Sequence, residues 1–395
     1  MHDDTHCVYG RDGDDPPFRS LTPAVHRAST VVFPTVEAYQ SRREAIYDGY
    51  SYGLYGTPTA RTLEKRIARL EGAEKCLVVQ SGFAAIVLTT LAFARTGSRV
   101  LFPDNGYETL RPFAADFLDG LGIEAQFYDP MRPDAVDRLL GPNTPLLWLE
   151  APGSVTMETP DVADLVARAH RHGAKVAADN TWATPLRFRP LDHGVDVSMN
   201  AASKYLSGHS DVIMGSLAVR DEALYRRLKD VSRFMGCGVS ADDASLVLRG
   251  LETLAVRLDR SEATATHLAA WFAEQSWVAE VRHPARPGTP GHDAWKRDFA
   301  GGSGLFSVYV HDAARARLDA CVESLELFAI GASWGGTHSV VAAMRQVPPR
   351  TVTPASHVGP VLRFSAGLEN VEDLLTDLRR AFAPLAATAA QEGIG

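Results

Sequence analysis

The sequence predicts an α/β protein built on a doubly wound, mostly parallel sheet, followed by a smaller C-terminal α+β domain. Three observations lead there. Short apolar runs of strand length alternate with helical segments between residues 57 and 250. The runs are apolar throughout rather than alternating, as strands buried on both faces must be. Beyond about residue 250 the pattern changes to long helical segments and then to mixed strands and helices.

Residues 1–55 lack clear periodicity and read as an extended N-terminal arm. Its one apolar piece, STVVFPTV, needs something to pack on, most simply a neighbouring subunit. TPTARTLEKRIARLEG then reads as a capped amphipathic helix. Thr57 or Thr59 caps it, Pro58 suits its start, Leu63, Ile67 and Leu70 share one face, and Gly72 ends it. The runs CLVVQ, RVLFP, LLWLE, KVAAD and DVSMN supply parallel strands within a domain over 56–250. Residues 251–395 form the second domain, with strands near GLFSVYV and LELFAI and a last helix near VEDLLTDLRRAFAPL. The tail LAATAAQEGIG reads as a fraying end.

With 395 residues the chain exceeds a single core. Its 45% hydrophobic and 22% charged composition is that of an ordinary globular protein, and a net charge of −8 without a basic block argues against nucleic acid. Cys7, Cys76, Cys237 and Cys321 are scattered. That excludes a CxxC metal site or a disulfide framework and fits a reducing, cytoplasmic setting. The polar start MHDDTHCVYG does not read as a signal peptide, and no apolar run reaches the roughly 18 residues of a membrane span.

Parallel α/β sheets hold ligands at the carboxyl ends of their strands. QSGFAAI runs from a strand into a helix start, so Ser81, Gly82 and Phe83 offer backbone donors to an anion such as phosphate. Asp179 ends the strand KVAAD, where a carboxylate needs a cation or several donors. Lys204 follows the strand DVSMN in a loop of small residues, Ala201, Ala202, Ser203 and Gly208, that leave an amine accessible. Each alone has an ordinary reading: a βα turn, a turn carboxylate, a surface lysine. Together they meet the needs of pyridoxal 5′-phosphate (PLP), which requires an amine for a Schiff base, a carboxylate at its pyridinium nitrogen and a phosphate cradle. Tyr107, in DNGYETL, is placed to stack on the ring, the lesser alternative being to pack a helix's first turn.

From about residue 25 to 385 the sequence resembles the Cys/Met-metabolism family of PLP enzymes, the trans-sulfuration enzymes. The resemblance rests on YGTPT, LEG, EAPGSVTME, DNTWATP, SKYLSGHSD, HPARPGTPGHDAWKRDF, SGLFS, SWGG and LRFSAGLE. The forms HSD, GSVTME, WKRDF and SWGG are closest to the bacterial cystathionine β-lyase branch. The resemblance implies the aspartate aminotransferase-like fold (fold type I) and a cytoplasmic homotetramer, a dimer of dimers with shared active sites. It implies a lyase converting L-cystathionine into homocysteine, pyruvate and ammonia in methionine biosynthesis. A γ-lyase, a γ-replacement enzyme or a specialised C–S lyase acting on another sulfur amino acid would share these motifs.

By the same resemblance, Lys204 holds the cofactor and moves protons, and Asp179 keeps the pyridine nitrogen protonated. Tyr107 stacks on the ring and assists proton transfer, while Gly82, Phe83 and Ser203 bind the phosphate. Arg363 clasps the substrate α-carboxylate beside Ser333 and Trp334. No metal is implied. Tyr52, in the loop YSYGLYGTPT, matches a tyrosine that reaches a neighbour's phosphate. Three departures stand out. Leu54 occupies the place of the family's second phosphate ligand, an arginine, and Arg61 is the nearest candidate to compensate. Ala201-Ala202-Ser203-Lys204 has one hydroxyl fewer than the family's Ser-x-Thr-Lys. Ala332 stands where the β-lyases carry tyrosine. His209 and Asp211 read as loop-shaping residues.

Overall fold

The structure is a computed structural model and describes residues 2–8, 20–354 and 357–391, with side chains of the last helix up to residue 385. Part of the predicted arm and the end of the predicted tail, residues 392–395, lie outside the described residues. In chain order the strands are β1 (Lys75–Val79), β2 (Arg99–Pro103), β3 (Glu124–Tyr128), β4 (Leu146–Glu150), β5 (Lys175–Asp179), β6 (Val197–Asn200) and β7 (Gly215–Val219). Then follow β8 (Val278–Arg282), β9 (Leu305–Val310), β10 (Ala329–Ile330), β11 (Val340–Met344) and β12 (Val361–Ser365). Four helices matter below: α1 (Pro58–Glu71), α2 (Gly82–Phe93), α3 (Leu254–Ala273) and α4 (Val371–Gln391).

The chain divides into two compact units, each assembled from two segments: Met1–Arg95 with Lys175–Ala255, and Thr96–Ala174 with Val256–Gly395. In the first unit the strands run in the order β1-β7-β6-β5. β5 and β6 are parallel, whereas β7 is antiparallel to both of its neighbours. β7 escapes a sequence reading tuned to parallel crossovers. Helix α1 starts at Thr57, whose side chain accepts the amide of Ala60 at 3.3 Å, and ends at Gly72 in the left-handed region, φ 62°. Leu63, Ile67 and Leu70 are buried, each contributing about 1.5–3 kcal/mol of apolar transfer.

In the second unit β2 lies between β4 and β3, all parallel. A separate sheet follows in the order β10-β11-β12-β9-β8. Its core is aromatic: Phe272 of α3 touches Trp277, Phe306, Phe364 and Phe382 at ring separations between 4.7 and 6.1 Å. Of the run LELFAI only Ala329–Ile330 is strand. The amides of Glu326 and Leu327 are held instead by the Asp377 carboxylate on α4, at 2.8–3.1 Å, so a ladder cannot use them.

Among the described residues no helix is long and apolar enough to cross a membrane, and no group of three or more His, Cys, Asp or Glu is placed to hold a metal ion. None of the four cysteines forms a disulfide among the described residues. STVVFPTV forms no strand, and within it Val32 is 87% exposed.

Candidate active site

In the first unit, β5 and β6 pair in parallel with Asp179 beside Met199. Their carboxyl ends therefore deliver Asp179 and the Ala201–Lys204 turn to one edge of the sheet. Thr181 ties the two ends. Its hydroxyl donates to Asp179 Oδ1 and accepts the amide of Ala201 at 2.8 Å. Its own amide donates to the same carboxylate oxygen at 2.9 Å. Burial pushes the Asp179 carboxyl up, while the Thr181 bonds and the Lys204 charge pull it back. Such a carboxylate gains from any further positive charge placed beside it. Lys204 is half-buried in a turn closed by its amide on Ala201 O at 3.0 Å and by Gly208 N–H on its own carbonyl at 2.8 Å.

Helix α2 begins at the same edge. Ser81 caps it, its Oγ accepting the amide of Ala84 at 2.9 Å, and the helix terminus adds partial positive charge. A Cβ on Gly82 would stand 2.6 Å from the Ala201 Cβ, so only glycine lets the helix start approach the Lys204 turn. An amine, a buried carboxylate and a helix N-terminus are the kinds of group that PLP requires. Ser203 is less free than the sequence suggests. Its hydroxyl accepts from the Met214 amide at 2.9 Å and donates to the Met214 carbonyl at 3.1 Å. Asp211 is exposed, and His209 Nδ1 lies 2.6 Å from Ser207 O.

The loop with three tyrosines is pinned from below. Tyr55 O accepts from Lys229 Nζ at 2.7 Å and from Arg61 Nη2 at 3.0 Å. Tyr52 stays 45% exposed, in edge contact with the Tyr55 ring at 5.8 Å. Leu54 lies against Gly238, where an added Cβ would be 2.7 Å from its Cδ1. Arg61 does not replace the missing arginine. It is buried under Gly56, a residue at φ 142°, where an added Cβ would lie 2.7 Å from Arg61 Nε. Its guanidinium is committed to Glu64 at 2.9 Å, Tyr225 Oη at 3.0 Å and Tyr55 O. The expectation of compensation is corrected: a buried arginine with these partners serves its own fold.

In the second unit Tyr107 and Arg363 line one cleft of about 740 Å³. Tyr107 is 43% exposed, so it is not part of the core. Its amide donates to Glu150 Oε2 at 2.7 Å, so the carboxylate ending β4 fixes the start of the Tyr107 segment. Arg363, on β12, donates to Ala332 O at 2.8 Å and Ser154 O at 3.3 Å. Burial lowers its pKa; Glu108, Glu150 and Tyr107 oppose that. Ala332 lines the cleft, Ser333 is exposed and Trp334 is half-buried.

One wall of this cleft is latched by Asp104. Its fully buried side chain accepts the amides of Thr351, Val352 and Thr353 at 3.0–3.1 Å and Arg111 Nη2 at 2.6 Å. Burial alone would raise this carboxyl, but these donors hold it at about 2. Thr181, Glu150 and Asp104 were not singled out in the sequence. Glu150 ends LLWLE and Asp104 follows RVLFP, the same strand-end position that points to Asp179.

Comparison with known proteins agrees with a PLP cofactor. A family model described as Cys/Met metabolism PLP-dependent enzyme matches residues 4–383. The chain is 39% identical to an L-alanine/L-glutamate racemase of Wolbachia pipientis wMel over 378 residues, 93% of each chain. It is 38% identical to a cystathionine beta-lyase of Escherichia coli over 371 residues, 92% of this chain and 94% of the relative. The crystal structure of metB from Corynebacterium glutamicum superposes with a TM-score of 0.87 at 25% identity, covering 98% of both chains. The architecture is that of fold type I PLP enzymes, with a large mixed α/β sheet domain and a smaller domain.

Proposed function

The chain belongs to the Cys/Met metabolism PLP-dependent enzyme family, and we propose that within it this protein is a carbon–sulfur lyase of the cystathionine β-lyase type, working by β-elimination. The observation that supports PLP chemistry is the Thr181 bridge, which joins the Asp179 carboxylate to the turn bearing Lys204; the likeness to a cystathionine beta-lyase over most of the chain supports the lyase type. PLP is the cofactor, and when bound it supplies an electron sink for the pair left by the departing Cα proton.

Lys204 Nζ is the amine that holds the cofactor and the base that takes the Cα proton and returns one to the leaving sulfur. Asp179 is the acidic partner of the pyridine nitrogen. Tyr107 supplies the stacking face and assists proton transfer. Gly82 and Phe83 hold the phosphate at the α2 terminus, and Ser203 joins them by exchanging its bond to Met214 O. Arg363 binds the α-carboxylate with its planar guanidinium, beside Ser333 and Trp334.

Tyr52 serves a neighbouring subunit's phosphate in a homo-oligomer, a dimer of dimers. Exposed apolar residues on the arm support a covering partner: Leu21 is 98% and Val32 87% exposed. The test is product identity with PLP-loaded protein. Pyruvate and a thiol from a β-substituted cysteine are the expected products. 2-Oxobutyrate and cysteine from L-cystathionine would overturn the reading in favour of γ-elimination. Conversion of L-alanine to D-alanine without pyruvate would overturn it in favour of racemisation.

A further inference from the structure

Resting on the β-elimination reading, we propose that the preferred substrate is an S-substituted L-cysteine whose sulfur carries an apolar alkyl or aryl group, not a second zwitterion. The argument lies in the cleft of the second unit. Three cationic side chains line it among the described residues: Arg111, Arg350 and Arg363. Arg111 is held by the Asp104 carboxylate at 2.6 Å and lies over the Phe127 ring, 4.6 Å from its centroid. Arg350 pairs with Glu158 at 2.9 Å and approaches Asp104 at 3.4 Å. Both charges are therefore neutralised by buried carboxylates. That leaves Arg363 for the α-carboxylate that every amino-acid substrate carries.

A distal carboxylate such as that of cystathionine would find no uncommitted cation in this cleft. It would also share the cleft with Glu108, a like charge. Desolvating an anion without a partner is strongly unfavourable. Ala332, Ala342, Met344, Val347, Pro348 and Pro349 give the cleft an apolar side, and its remaining polar lining, Asn105, Thr109, Ser154 and Thr156, is uncharged. Ala332 and Ala342 are short side chains in a cleft of about 740 Å³, within the size range of sites that enclose small apolar ligands. Such a wall gains from removing a hydrocarbon group from water and offers little to a charged one. The reaction balances with water alone. The Cα–H and Cβ–S bonds break, the thiol leaves with a proton, and hydrolysis of the remaining three-carbon fragment gives pyruvate and ammonia.

The experiment compares kcat/KM for S-benzyl-L-cysteine, L-cystathionine and S-methyl-L-cysteine on the full-length, PLP-loaded enzyme, reading both pyruvate and thiol. Benzyl thiol and homocysteine are both alkyl thiols, which limits the effect of leaving-group basicity on the comparison. A preference of at least tenfold for the benzyl substrate over cystathionine is expected. In Ala332→Tyr the benzyl-to-methyl ratio should fall at least fivefold, because the added ring would take up space at that wall. Cystathionine turned over as well as or better than the benzyl substrate would overturn this substrate class and leave β-elimination standing. No pyruvate from any of the three would overturn the β-elimination reading itself, and the substrate class with it.

Discussion

Replacing Thr181 with valine keeps the side chain's shape and deletes one hydroxyl. That hydroxyl does two things at once: it donates to Asp179 and accepts the Ala201 amide at 2.8 Å. Losing the first removes a hydrogen bond to a charged group, worth about 1.5–3 kcal/mol. Losing the second leaves a backbone N–H without its partner, a penalty of about 1–3 kcal/mol. The two losses separate by state. Without cofactor, Asp179 can relieve its loss by taking up a proton, since burial already pushes its carboxyl up. The apoprotein should therefore feel mainly the Ala201 penalty, about 1–3 kcal/mol, seen as a lower urea midpoint. With cofactor bound, Asp179 must stay ionised, so affinity for PLP should fall by about 1.5–3 kcal/mol, roughly 10- to 150-fold. Absorbance titration of PLP into the apoprotein measures it, with Thr181→Ser as the control that restores the hydroxyl. A Thr181→Val protein with unchanged urea midpoint and PLP affinity within twofold of the native one would refute the bridging role.

Three further outcomes follow from the same geometry. Arg61→Ala should destabilise the apoprotein by about 3–5 kcal/mol, because it removes the cation paired with buried Glu64; a normal urea midpoint with selectively weakened PLP binding would restore the phosphate role denied above. The Asp104 carboxyl is held at about 2, below its unfolded value near 3.9. Its contribution, of order 2 kcal/mol, is therefore fully present above about pH 4 and is lost as pH falls toward 2; Asp104→Asn should flatten that part of the acid-unfolding curve. Arg363→Lys exchanges a planar fork for a point charge and should raise KM about ten- to hundredfold, read from initial rates across substrate concentration.

Much of this was legible in the sequence because it depends on local pattern. KVAAD and DVSMN are apolar runs whose last residues meet a known rule for ligand sites, and both became strands at their expected positions. Thr57, Pro58 and Gly72 fixed the limits of α1 through capping chemistry that acts within one turn. What escaped depends on partners far apart in the chain. Nothing near Arg61 in sequence reveals Tyr225, 164 positions away, which helps turn a candidate phosphate ligand into a structural ion pair. Nothing in LELFAI announces that Asp377 will take its amides and shorten the strand. Glu150 and Asp104 belong to a middle class. Their strand-end positions were readable, but their tasks became evident only when Tyr107 and the 351–353 segment arrived to use them.

The interleaving of the two units has a consequence for how the chain is made. Residues 96–174 of the second unit emerge from the ribosome between the halves of the first, so 79 residues separate Arg95 from its continuation at Lys175. At about 5–20 residues per second, that is a wait of roughly 4–16 s. During it β1 and α2 exist without β5, β6 and β7. Over that interval the apolar strand CLVVQ has α1 and α2 of its own segment to pack on but lacks its strand partner β7. Neither unit can be expressed as one uninterrupted stretch of this gene; separating them requires a circular permutation or an excision with a new linker.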